Sequence, residues 1–90
     1  MQKIEKEEIK NLSFSDKDVL NSEAEQKERF YFAQKARTLG NIEKSKSRIC
    51  FHTTNGIYEV NTTVWDVDSA FIMLKGASAL PLKSVYSISL

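Results

Sequence analysis

Ninety residues, 41% of them hydrophobic and 28% charged, make at most one domain near the small end of what folds without staples, and exclude wholesale disorder. One cysteine, Cys50, rules out an internal disulfide. The net charge of +1 argues against steering of the whole chain toward nucleic acid, but the charge is unevenly spread. Residues 1–26 hold four Lys against seven Asp or Glu, net −3; residues 27–48 hold seven Lys or Arg against two Glu, net +5. The remaining residues carry two Lys and three acids. A basic middle segment is therefore the electrostatic feature that calls for a partner.

The opening stretch, MQKIEKEEIK, lacks the apolar core and small-residue cleavage site of a signal peptide. No apolar run approaches the length of a membrane span, so the cytoplasm is the expected compartment. Residues 1–14 carry scattered Ile4, Ile9, Leu12 and Phe14 in neither helical nor strand period, which predicts a flexible or short-helical lead. Residues 15–90 are expected to form the single domain.

Its first element is a helix over 15–39. Two starts compete: Ser15 with Asp18, stapled by Phe14 and Val19, and Ser22 with Glu25, the better capping box. Gly40-Asn41 is the expected stop. Phe32, Ala36 and Leu39 fall on one stripe, but Phe30, Tyr31 and Phe32 are consecutive and so about 100° apart around the axis. The three cannot all face one small core. Phe30, Tyr31 and Phe32 are therefore the candidate partner interface, for a homo-oligomer or another protein.

Residues 47–90 read as β. "FHTTNGIYEV" predicts a hairpin with Asn55-Gly56 as a two-residue loop, which sets Phe51 opposite Val60 and Thr53 opposite Tyr58. Ile49, Phe51, Thr53, Tyr58, Val60 and Thr62 then share the apolar face, and Cys50, His52, Glu59 and Asn61 the other. The second strand runs on as "IYEVNTTVW" and must bend. A turn at 66–69, a strand in "AFIMLK", a loop over 75–78, an edge piece "ALPL" and a last strand "VYSISL" complete the chain. Alternation alone leaves open which side of the "AFIMLK" strand is buried.

A glycine turn before a long bent strand, an acidic residue (Asp66 or Asp68) near that strand's end, and the closing run "LPLKSVYSI" resemble the SH3-like and Sm-like small barrels. The resemblance covers residues 48–90 and implies a partly closed β-barrel after a helix. The glycine of Lys75-Gly76 falls one strand earlier than the second Sm signature. The whole chain is also similar to short, functionally uncharacterised bacterial proteins that place a helix before "TLGN", a hairpin, "TTVW" and "LPL". The expected class is α+β: a helix followed by a small antiparallel sheet or partly closed barrel.

The inventory for chemistry is thin, so no catalytic residue, metal ligand or cofactor is expected. His52 is the one histidine, and with Cys50 it lacks an orienting acid; Glu59 opposite it reads as a cross-strand pair. No CxxC, HxxxH or calcium-loop spacing occurs, and no glycine-rich phosphate loop. The expected function is a non-catalytic binding module for protein contact or self-association. The alternative is single-stranded nucleic-acid (RNA or ssDNA) binding, with Lys44, Lys46 and Arg48 tracking phosphates and Trp65 stacking on bases, although a Trp at that position is expected in the core. Neither a membrane nor a small-molecule substrate is suggested.

Overall fold

In the computed structural model, residues 1–76 and 79–90 are described; Ala77 and Ser78, within the expected loop, lie outside them. Among the described residues the fold is α+β, with one α-helix and two small sheets, and it is not a closed barrel. The strands are β1 (Gln2–Lys3), β2 (Ser47–Thr53), β3 (Gly56–Thr62), β4 (Val64–Val67), β5 (Phe71–Leu74), β6 (Ala79–Pro81) and β7 (Val85–Ser89). One sheet has the order β1-β3-β2-β7, mixed because β1 runs parallel to β3; the other, β4-β5-β6, is antiparallel. The expected long strand bends at Thr63, so its first part serves one sheet and its second part the other. Ile72 and Leu74 are the buried side of β5, and Pro81 sits on the edge strand β6 where its missing donor is harmless.

The helix α1 spans Glu23–Glu43, not 15–39. The capping Ser22 accepts a bond from the Glu25 N–H at 3.4 Å, with Glu23 and Glu25 set against the positive end of the helix dipole. Residues 15–22 are instead a strap: Ser15 accepts from Lys17 N–H and Asp18 from Leu20 N–H, side-chain bonds that compete with a helical backbone. Nor does Gly40 stop the helix. Lys44, in the left-handed region at φ 58°, ends it.

Gly40 answers a different need. Arg29, Ala33, Ala36 and Gly40 recur at i, i+4, i+7, i+11 and form the buried face of α1, while Phe32 and Leu39 of the expected stripe flank it half-buried. Small residues there let the helix lie close on β4. A Cβ on Gly40 would fall against the carbonyl oxygen of Val64 and 2.9 Å from Cγ2 of Thr63. Gly40→Ala should therefore destabilise by about 1–3 kcal/mol despite alanine's better helix propensity. A urea midpoint at or above that of the wild type would show that the backbones have room to part.

The hairpin keeps its faces and changes its register. Phe51 pairs with Tyr58, Ile49 with Val60 and Thr53 with Gly56, leaving Thr54-Asn55 as the loop. A type I′ loop needs positive φ at both central residues, and of these residues only Gly56 takes it, at 127°. The Thr53 hydroxyl fixes the closure, accepting from Asn55 N–H and donating to the Gly56 carbonyl, each at 3.0 Å. The slip is two residues, so every side chain stays on its expected face.

The lead is not loose. Ile4 N–H donates to the Glu59 carbonyl, Thr54 N–H to that of Ser13, and Ile9, in a 3-10 turn over Lys6–Asn11, is buried. Phe14 sets its ring 6.2 Å from that of Phe51. The lead thus closes one side of the core, where β1 extends the sheet.

Candidate functional site

The first half of α1 carries the densest polar geometry. Arg29 is 7% exposed. Its two terminal nitrogens donate to both carboxylate oxygens of Asp18 at 2.8 and 2.7 Å, and one also to the Val85 carbonyl at 3.2 Å. A buried guanidinium needs such a fork-to-fork partner to offset its lost hydration. The Arg29 hydrogen bonds hold the Asp18 carboxyl below its usual range against opposing burial, with help from Leu20 N–H. The Arg29 Nε is buried without an acceptor among the described residues. The same pair ties the 15–22 strap to the helix, as does the bond from Gln26 Nε2 to the Leu20 carbonyl, while Val19 N–H ties the strap to the Lys83 carbonyl in the turn before β7.

Beside this pair lies a groove of about 650 Å³ between α1, Ser69 and the Leu82–Lys83 turn, lined by Phe30, Tyr31, Leu82 and Lys83 among others. Phe30 is half-buried against the core and Tyr31 is 54% exposed, with Lys35 Nζ 5.7 Å from its ring centre. Phe32 points to another side, where it lines a smaller cleft of about 160 Å³ with Leu20, Tyr86 and Ile88. The candidate interface is thus split by helical geometry. Phe30 and Tyr31 share a groove; Phe32 packs against the core on another side and meets the Tyr31 ring edge to face, at 5.4 Å between centres.

The other end of α1 holds the basic candidates. Trp65 is 49% exposed, contrary to the expected core position. A register shift between Val64 and Asp66 makes it the extra residue of a bulge, so Trp65 and Asp66 both turn outward. Lys44 Nζ stands 5.9 Å from its ring centre, Asn41 Nδ2 donates to its carbonyl, and Arg37 pairs with Asp66 at 3.4 Å. Lys46 is exposed between them and β2. Arg48 does not join Lys44 and Trp65; it lines a depression with Lys3, Glu59 and Asn61.

Glu59 pairs with Cys50 rather than with His52, which stands opposite Ile57 with its ring edge-on to Tyr86 at 6.3 Å. Burial first, and the Glu59 charge second, push the Cys50 thiol up, which disfavours the nucleophilic thiolate. The acids of "WDVD" hold local backbone: Asp68 accepts from Ala70 and Phe71 N–H at 2.8 and 2.7 Å, which holds its carboxyl below the usual range. Among the described residues no three His, Cys, Asp or Glu gather as a metal site, and no helix is long and apolar enough to cross a membrane.

The groove at Phe30 and Tyr31 and the Lys44–Trp65 pair were both findable from residue type, the first from three adjacent aromatics and the second from the basic run. The Asp18–Arg29 pair was not, because its members lie eleven positions apart, one on the strap and one on the helix. No family model, no curated protein and no solved structure matches the chain.

Proposed function

We propose that the chain is a non-catalytic protein-binding module, a helix on a partly open SH3/Sm-like β-fold, that meets another protein or a second copy of itself through the Phe30–Tyr31 groove. The observation that carries this reading is Tyr31, an aromatic ring more than half exposed at the lip of a groove with Phe30 and Leu82 in its wall. Large aromatics in concave, partly apolar surfaces are the side chains that dominate protein contacts. The return of β7 to pair with β2, after the bend at Thr63, supports the barrel-like reading of the sheets. Cytoplasmic location belongs to the same reading.

A second reading keeps a specific observation of its own: Lys44 beside the exposed ring of Trp65 is the aromatic-cation pair that single-stranded RNA or ssDNA uses. Size-exclusion chromatography with light scattering, recorded at protein and nucleic-acid wavelengths, separates the two. Protein contact predicts a clean spectrum and, for self-association, a multimer that Tyr31→Glu dissolves and salt leaves intact. Bound nucleic acid released by high salt, and unaffected by Tyr31→Glu, would transfer the function to Trp65.

A further inference from the structure

We infer that the Phe30–Tyr31 groove takes an extended peptide segment of a partner protein in which apolar side chains flank one or two carboxylates. This rests on the protein-binding reading and adds the chemistry of the partner. Once its internal pairs are set aside, the groove keeps a positive charge. Five charged residues line it: Asp18, Glu23, Lys27, Arg29 and Lys83. Asp18 and Arg29 neutralise one another at 2.7 Å, and Glu23 and Lys27 stand paired at 3.6 Å. Lys83, exposed, has no carboxylate partner within 4.0 Å among the described residues. Lys35, over the Tyr31 ring, adds a second cation at the lip.

An apolar wall of Phe30, Tyr31 and Leu82 beneath one or two free ammonium groups complements a segment that alternates apolar and acidic residues. A polyphosphate fits less well, because one or two free ammonium groups cannot offset a dense run of negative charge. The open groove, rather than an enclosed cavity, suits an extended chain.

The test is selection of phage-displayed random octapeptides on the immobilised full chain, with the Tyr31→Ala chain as counter-selection. The selected peptides should carry Asp or Glu beside Leu, Ile or Phe. Their synthetic forms should lose about tenfold in affinity to Lys83→Glu and keep it with Lys83→Arg and with Lys10→Glu, a remote charge reversal. Retained melting transitions in each variant would assign the loss to the groove. No enrichment over the counter-selection, enrichment without acidic residues, or equal binding to Lys83→Glu would overturn the inference. So would displacement of the peptide by oligouridylate at lower concentration than by free peptide. A salt-resistant multimer that Tyr31→Glu dissolves, found alongside a failed selection, would leave the protein-binding reading standing and remove only the acidic-peptide occupant.

Discussion

Phe51→Ala should cost about 3–5 kcal/mol, a large part of the stability of a domain this size. The ring is fully buried on β2, 6.2 Å from the rings of both Phe14 and Tyr58. Its loss opens a void at the junction of the lead and the sheet, and neither neighbour is free to fill it. Phe14 hangs on a segment fixed by the bond from Thr54 N–H to the Ser13 carbonyl, and Tyr58 on a strand paired on both sides. The loss should appear in chemical denaturation as a lower midpoint. Amide exchange should rise over residues 4–14 as well as over the hairpin, because the lead rests on that ring. Wild-type melting with unchanged exchange in the lead would place Phe51 outside the core.

Asp18→Ala should cost about 3 kcal/mol, the lower end for breaking a buried pair because the Asp18 side chain is 20% exposed. The variant leaves the Arg29 guanidinium almost buried with one carbonyl, that of Val85, as its acceptor. The pH dependence follows from the direction of the Asp18 shift. Its folded pKa lies below the unfolded value of about 3.9, so its contribution is fully present above that value. It disappears as pH falls through the folded pKa. Wild type should therefore lose stability on acidification below about pH 4 more steeply than Asp18→Ala, and the two denaturation midpoints should converge. A constant difference between them from pH 7 to pH 2 would mean that the carboxylate charge contributes nothing. Because the pair fastens the 15–22 strap beside the groove, the same variant should also expose Val19 and Leu20 amides to exchange.

The architecture was legible where a local rule sets it. Alternation over Ile49–Thr53 and Tyr58–Thr62 assigns the faces of the hairpin, and parity survives a two-residue slip, so the buried set stood although the register did not. The slip itself turned on one hydroxyl, Thr53, that out-competed the usual reading of Asn-Gly. Gly40 was ambiguous in kind: a helix stop and a close approach both call for glycine, and only the position of Val64, a distant partner, decides between them. The order of the lead and the exposure of Trp65 escaped the sequence for related reasons, although the short-helical alternative for residues 1–14 matches the 3-10 turn over Lys6–Asn11. Ile4, Ile9, Leu12 and Phe14 follow no single period because they lie just after a short strand, within a 3-10 turn, at its end and in the loop beyond. Trp65 is lifted from the core by a bulge that alternation does not foresee. Of the site, the aromatic run showed that Phe30–Phe32 must face several ways. The groove's other wall, Ser69 and Leu82–Lys83, arrives from far along the chain and has no sequence signal.

The central claim is that the Tyr31 end of α1, and not the Trp65 end, is the contacting surface. The most direct measurement places a photo-crosslinking phenylalanine at Tyr31 in one chain and at Trp65 in another, and irradiates each in living cells. The account predicts nuclease-resistant protein adducts, to a second copy or to another chain, from position 31 and none from position 65. Adducts formed only at position 65, or adducts at either position that nuclease digestion removes, would contradict it.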